Sequence, residues 1–244
     1  MTGLSNISAV TLSETQLIEI QANTLFTHDS NGRLLTNNEP DGEAAPRFFL
    51  GRTMAGHICR FRHDLPDDIV RELKSCVARE PIPHDLSEPP LHLEIYKIIL
   101  ESHAPVRNIY HGPAYHFPET IAAPSGITAT RMTQSNAPAL QPDFPWLFSQ
   151  LEFMPPVFAV VQEGRAVAAC FSSRFPGAAN EAGVHTLEGF RGRGYAAAVV
   201  AAWATAIREL GHIPLYGTTW SNFGSQAVAR KLGLEMYGDD LHMG

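Results

Sequence analysis

From residue 157 onward, apolar positions fall into short alternating runs and longer helical stripes. Residues 157–161 and 166–171 flank Glu163-Gly164-Arg165, which predicts a β-hairpin. A third strand fits residues 182–186. A helix over 194–210 follows, with Ala196, Val199, Val200, Trp203, Ile207 and Leu210 at helical spacing and Gly211 where a C-cap belongs. Residues 213–219 read as the next strand, Asn222 opens a second helix ending before Gly233, and residues 235–237 begin a last strand. Upstream, residues 127–132 alternate as a strand, and 136–151 read as short helical pieces broken by Pro142 and Pro145. Strand, helices, hairpin, strand, helix, strand, helix, strand is the order of an α+β fold, a mixed sheet with helices packed on it.

Residues 1–125 have a different texture. A helix is expected over 67–79, after Pro66, with Ile69, Leu73 and Val77 on one face. Another is expected over 91–102, with Leu91, Ile95, Ile98 and Ile99 as its apolar stripe. Residues 29–46 read as turn or loop. The chain thus divides into an α/β N-terminal region, 1–125, and a second domain, 126–244. The first serves either packing or substrate selection. His111 and His116, among Tyr110, Tyr115 and Phe117, lack metal-ligand spacing, so the segment reads as a pocket wall or a buried aromatic turn. Asp239-Asp240 reads as a solvated tail or as an attraction for a cationic amine.

Composition narrows the classes. The chain has 244 residues, 44% hydrophobic and 18% charged, with a net charge of -7. That balance argues for a folded protein and against nucleic acid as the main ligand. Cys59, Cys76 and Cys170 are far apart with no CxxC pair, which fits a reducing compartment and no metal site. Residues 1–10 lack a secretory pattern, and no apolar run approaches the ~18 residues of a membrane span. The expectation is a cytoplasmic protein without a membrane partner.

The chemistry concentrates in Arg191-Gly192-Arg193-Gly194-Tyr195-Ala196, between a strand and a helix. Two glycines let the backbone turn and approach a ligand closely. The first amides of the next helix have no partner inside it, and the positive end of the helix dipole lies there. That makes an anion site, and Arg191 and Arg193 add charge suited to a phosphate. A P-loop is excluded because no Gly-Lys-Ser/Thr follows. A dinucleotide site has the right spacing, Gly192-x-Gly194-x-x-Ala197. It also wants an acid near the end of the next strand, where Thr218-Thr219-Trp220 stands instead. A turn that merely permits tight packing is the third reading.

The segment 183–196 resembles the coenzyme-A loop of the GNAT superfamily, whose pattern is Arg/Gln-x-x-Gly-x-Gly/Ala. Arg191, Gly194 and Ala196 fill its defining positions. Asn222 to Ser225 and Arg230-Lys231-Leu232-Gly233-Leu234 are similar to the family's second segment, one helix and one strand further on. The resemblance covers residues 126–244, and because tandem members of the family have a degenerate first half, a degenerate GNAT-like unit is a further reading of residues 1–125. The resemblance implies a GNAT-like, mostly antiparallel sheet flanked by helices. It also implies an acetyl-CoA-dependent N-acetyltransferase acting on a primary amine of a small molecule or peptide. Main-chain groups of Val184, His185 and Thr186 would pair with pantetheine, an amide near Val184 polarising the thioester. Amides of Arg191, Gly192, Arg193, Gly194, Tyr195 and Ala196 would hold the pyrophosphate. Asn222 and Ser225 would meet the pantetheine arm, Asn222 also serving as N-cap. Glu181 and His185 are the candidate bases. The helix position where many members carry a tyrosine acid is Ala229, with Tyr216 or Tyr237 as substitutes. A catalytically weak acyl-CoA-binding or regulatory module is the alternative. The chain stops at Gly244, leaving little room for the family's final strand. That edge is open, filled by residues 1–125, or supplied by another subunit in a homodimer.

Overall fold

The computed structural model describes residues 12–40, 42–174 and 177–244. The first element is set by its cap. Ser13 Oγ accepts from the Gln16 amide, and the Gln16 side chain accepts from the Ser13 amide. This reciprocal pair starts α1 (Glu14–Leu25), which runs into β1 (Phe26–His28) and its partner β2 (Leu34–Asn37).

The remaining strands form one nine-stranded sheet. In chain order they are β3 (Phe48–Thr53), β4 (Gly56–Phe61), β5 (Ile109–His116), β6 (Thr130–Arg131), β7 (Phe158–Gln162), β8 (Arg165–Ser172), β9 (Ala179–Thr186), β10 (Ile213–Gly217) and β11 (Glu235–Met243). Their order across the sheet is β4-β3-β11-β5-β10-β9-β8-β7-β6, antiparallel throughout except for β9 beside β10. This is the mixed, mostly antiparallel α+β architecture expected from the sequence.

Alternate strand residues serve the two faces. On one face lie α5 (Tyr195–Glu209) and α6 (Phe223–Leu232), whose cluster holds Trp203, Val200, Tyr216 and Ala229. The same face carries α2 (Asp67–Val77) and α3 (Leu93–Glu101), which pack on Phe48, Leu50 and Leu241. The opposite face takes α1, with Ile18 and Leu25 against Phe49, Ala114, Leu215 and Tyr237. The short α4 (Pro145–Ser149) covers its other end, around Ala169 and Phe171.

Several expectations are corrected. Residues 29–46 contain β2 and are not simply a loop (Asp41 lies outside the described residues). In α3 the buried residues are Tyr96, Ile99 and Leu100, while Leu91, Ile95 and Ile98 are exposed. The pull comes from Tyr96, whose hydroxyl donates to the buried Glu80 carboxylate and fixes the helix rotation. Pro145 starts α4 and does not break it, since a proline at N1 loses no helical bond. The segment holding His111 and His116 is a central strand, not a turn. Asp239 and Asp240 are 1% exposed, not a solvated tail. Arg52 holds Asp239 through Nε (2.9 Å) and Nη2 (2.7 Å), with His111 Nε2 on the same carboxylate.

The final strand is the largest departure. β11 runs nine residues, between β3 and β5. The place beside β10 is filled by β5, from residues 1–125. Of the three ways of completing that edge, this is the one the chain uses.

Candidate functional site

β9 and β10 pair in parallel only as far as Glu181 opposite Leu215. Beyond that point β9 continues to Thr186 along β8, while Tyr216 and Gly217 pair with β5. The two strands therefore diverge, and one edge of residues 182–186 is left without a strand partner.

Two residues of β5 permit the divergence. Pro113 has no N–H, so it cannot complete the ladder opposite Thr218, although its carbonyl accepts from the Thr218 amide at 3.3 Å. Gly112 has no Cβ, and one built there would overlap the Thr218 carbonyl oxygen. A proline and a glycine side by side, poor strand formers, thus let the backbone at Thr218 lie close against β5.

A cleft of about 850 Å³ opens into this gap. Its walls include Val184, His185 and Thr186 from β9, then Arg191, Gly192, Gly194, Tyr195 and Ala196, then Asn222 and Ser225. Ten of the sequence-predicted residues thus meet on one cavity. Gly192 and Gly194 have φ of +76° and +84°, the left-handed region that favours glycine. Gly194 caps α5, and no side chain among the described residues bonds the first-turn amides, so those donors face the cleft mouth unpaired.

The cations differ in placement. Arg191 lines the cleft, its Nε 3.5 Å from the Thr186 carbonyl. The Arg193 guanidinium lies 5.2 Å over the Phe190 ring and donates to the Gly189 carbonyl, so its side chain is not part of the wall. Lys231, passed over in the motif, is part of it. Its Nζ would lie 2.9 Å from a Cβ at Gly194, and it has no ion pair among the described residues. Its signal was present in sequence: one turn of α6 separates Lys231 from Val228, another wall residue.

Asn222 Oδ1 accepts from the Ser225 amide at 3.1 Å and caps α6, leaving its Nδ2 without a partner among the described residues. Ser225 Oγ lies 2.6 Å from the Tyr216 hydroxyl. Tyr216 and Ala229 belong to one buried cluster. Burial pushes the Tyr216 phenol up, with the Ser225 hydrogen bond opposing. Tyr237 is elsewhere, donating to Gln21 Oε1 at 2.8 Å on the α1 face.

Glu181 sits where the strands part, 8% exposed, on the α1 face of the sheet. Its Oε1 would lie 2.5 Å from a Cβ at Gly217, so any larger residue there would displace the carboxylate, and its Oε2 has no partner among the described residues. Burial pushes the carboxyl up to about 7, opposed by Arg174 and helped by the negative charge of Asp240. Such a group is poised to exchange a proton near neutrality. His185 is exposed, its ring against Trp146 and Phe171, with no carboxylate orienting it.

Residues 159–242 match the FR47-like protein family model. No curated protein matches the chain. Among solved structures, a GCN5-related N-acetyltransferase-like protein from Streptococcus suis is 16% identical, covering 82% of this chain and 85% of its own, with a TM-score of 0.48. A GNAT-family acetyltransferase from Colwellia psychrerythraea is 14% identical over 76% of this chain and 75% of its own, TM-score 0.49. The aminoglycoside N-acetyltransferase AAC(6')-Iy in complex with CoA is 18% identical over 49% of this chain and 92% of its own, TM-score 0.35. No helix among the described residues is long and apolar enough to cross a membrane. The family match spans β8, β9, α5, β10 and α6, and so includes the elements whose residues line the cleft.

Proposed function

We propose that this protein transfers the acetyl group of acetyl-CoA directly to a primary amine on a small molecule or peptide. The observation that carries the reading is the cleft that opens where β9 and β10 part, with unpaired α5 amides at one end; the buried Glu181 carboxylate, its Oε2 free, lies at the last β9–β10 pair and outside the residues that line the cleft. The amides of residues 192–196, with Arg191 and Lys231, suit a pyrophosphate. The free edge of residues 184–186 suits the amide groups of pantetheine, and Asn222 Nδ2 is available to the same arm.

In this mechanism the acceptor nitrogen attacks the thioester carbonyl carbon while an amide near Val184 stabilises the developing oxyanion. The C–S bond breaks as the C–N bond forms. Glu181 takes the proton released from the amine, directly or through one water. Its free Oε2 and near-neutral proton affinity favour it over His185, which no carboxylate orients. The thiolate leaves and is protonated at the Tyr216–Ser225 hydroxyl pair, since Ser225 lines the cleft and Ala229 offers no acid.

Acetyl-CoA incubated with a panel of primary amines, with free thiol followed colorimetrically, tests the reading. At least one amine should release thiol, and Glu181→Gln should slow that release by about 10²–10⁴-fold. Tight coenzyme A binding without thiol release on any amine would instead favour an acyl-CoA-binding module.

A further inference from the structure

Glu181 shares the α1 face of the sheet with a second buried carboxylate. Asp240 of β11 is 1% exposed. Its Oδ2 accepts from Gln21 Nε2 at 2.8 Å, with His242 Nε2 at 3.4 Å, and its Oδ1 has no partner. Between the two acids the sheet presents Gly217 and Gly112, which have no side chains. One carboxamide spans that floor. Gln21 Nε2 lies on Asp240 and 3.6 Å from the position of a Gly217 Cβ, the same point that Glu181 Oε1 approaches to 2.5 Å. The Gln21 Oε1 is held by the Tyr237 hydroxyl, so the amide cannot flip without losing both bonds.

The groups facing Glu181 can be taken element by element. The segment after β8 offers Arg174, which is also drawn to Glu39 at 3.6 Å. The Gly217 amide comes from β10, and α1 gives the neutral Gln21. Tyr110 comes from β5, stacked 4.7 Å from the His242 ring, and β11 adds Tyr237, Asp240 and His242. Two acids thus face one cation that has another partner. A hydrogen bond from Gln21 could be accepted equally well by an asparagine at 240. The acid at that position therefore does something the packing does not require: it places a charge.

We propose that Asp240 is a positioning residue for proton transfer at Glu181: Gln21 clamps its carboxylate on the α1 face, over the floor of Gly217 and Gly112, so that its negative charge acts on the Glu181 carboxyl. The proposal rests on the reading of Glu181 as the base. Like charges in one buried site cannot both ionise freely, so the second to ionise does so late. A base that frees itself near neutrality is matched to an amine acceptor better than an ordinary carboxylate, which binds protons too weakly.

The test uses the full chain with 13C-labelled glutamate carboxyls, titrated by NMR, together with kcat/KM for an active amine across pH. Asp240→Asn keeps the acceptor for Gln21 and removes the charge. The Glu181 midpoint should fall by about one pH unit, and the acid limb of kcat/KM should move down with it. KM for acetyl-CoA should stay unchanged. A midpoint and limb that stay in place overturn the proposal, as does a uniform loss of activity at every pH, the mark of a structural role. A midpoint that moves while the limb stays supports the coupling and overturns Glu181 as the base. The wild-type titration is informative by itself: the Glu181 resonance should titrate well above an ordinary carboxylate. A single curve with an ordinary midpoint overturns the proposal even if the variant fails to fold.

Discussion

A carboxyl that keeps its proton to about 7 destabilises the fold that contains it. The folded Glu181 binds its proton more tightly than the unfolded chain does, so stability falls as pH rises from about 4.5 to about 7 and stays lower above. Glu181→Gln should therefore stabilise the protein by on the order of 3 kcal/mol at pH 8 and by little at pH 4. Urea unfolding at the two pH values measures this, and a variant no more stable than wild type at pH 8 contradicts it. Glu80 has the opposite sign. Burial works to raise it, but hydrogen bonds from Tyr96, from the His92 ring and from the Leu91 and His92 amides outweigh that and hold it low. Its contribution is present above the usual carboxylate range and is lost as pH falls through its depressed folded value. Glu80→Ala should cost about 3–5 kcal/mol at neutral pH, because four donors lose one acceptor. Denaturant midpoints at pH 7 check this, and a loss under 1 kcal/mol would show that water replaces the carboxylate.

At the scale of elements, readability followed local rules. The stripe of α5 was legible because Val199, Val200, Trp203 and Ile207 repeat at helical spacing, and all four are buried. The β7–β8 hairpin was legible because Glu163 and Gly164 take positive φ between alternating runs. The cleft residues were legible because an anion site needs only a short contiguous motif. β5 was not, since Gly112 and Pro113 argue against any strand, and their use depends on β10, a hundred residues away. The start of β11 at residues 235–237 was legible, and its length was not. Asp239-Asp240 reads as a solvated tail until Arg52 and Gln21, from distant positions, bond the acids. α1 had a readable start in Ser13 and Gln16, a capping signature that was missed. Gly112→Ala forces the Thr218 carbonyl to move and should destabilise by about 3 kcal/mol or more. An unchanged denaturation midpoint with unchanged activity would show that β10 diverges for another reason.

Across the whole molecule, one sheet is woven from both parts of the chain. β11 has β3 and β5 as neighbours, and both precede residue 125. Residues 126–244 expressed alone should therefore lack a cooperative unfolding transition, and mixing with residues 1–125 should restore it. A cooperative transition of the isolated fragment would show that the sheet needs no N-terminal strands. The same weave positions the cleft, since β5 draws β10 away from β9 and opens the site that the turn at 191–196 closes. The claim that this opening holds coenzyme A is tested most directly by calorimetric titration of coenzyme A into wild type and Gly194→Val. The variant demands a left-handed backbone of a branched residue and crowds Lys231. One site per chain is expected in the wild type, weakened by about a hundredfold or more in a variant that keeps its circular dichroism. No heat of binding in the wild type, or equal affinity in the variant, would contradict it.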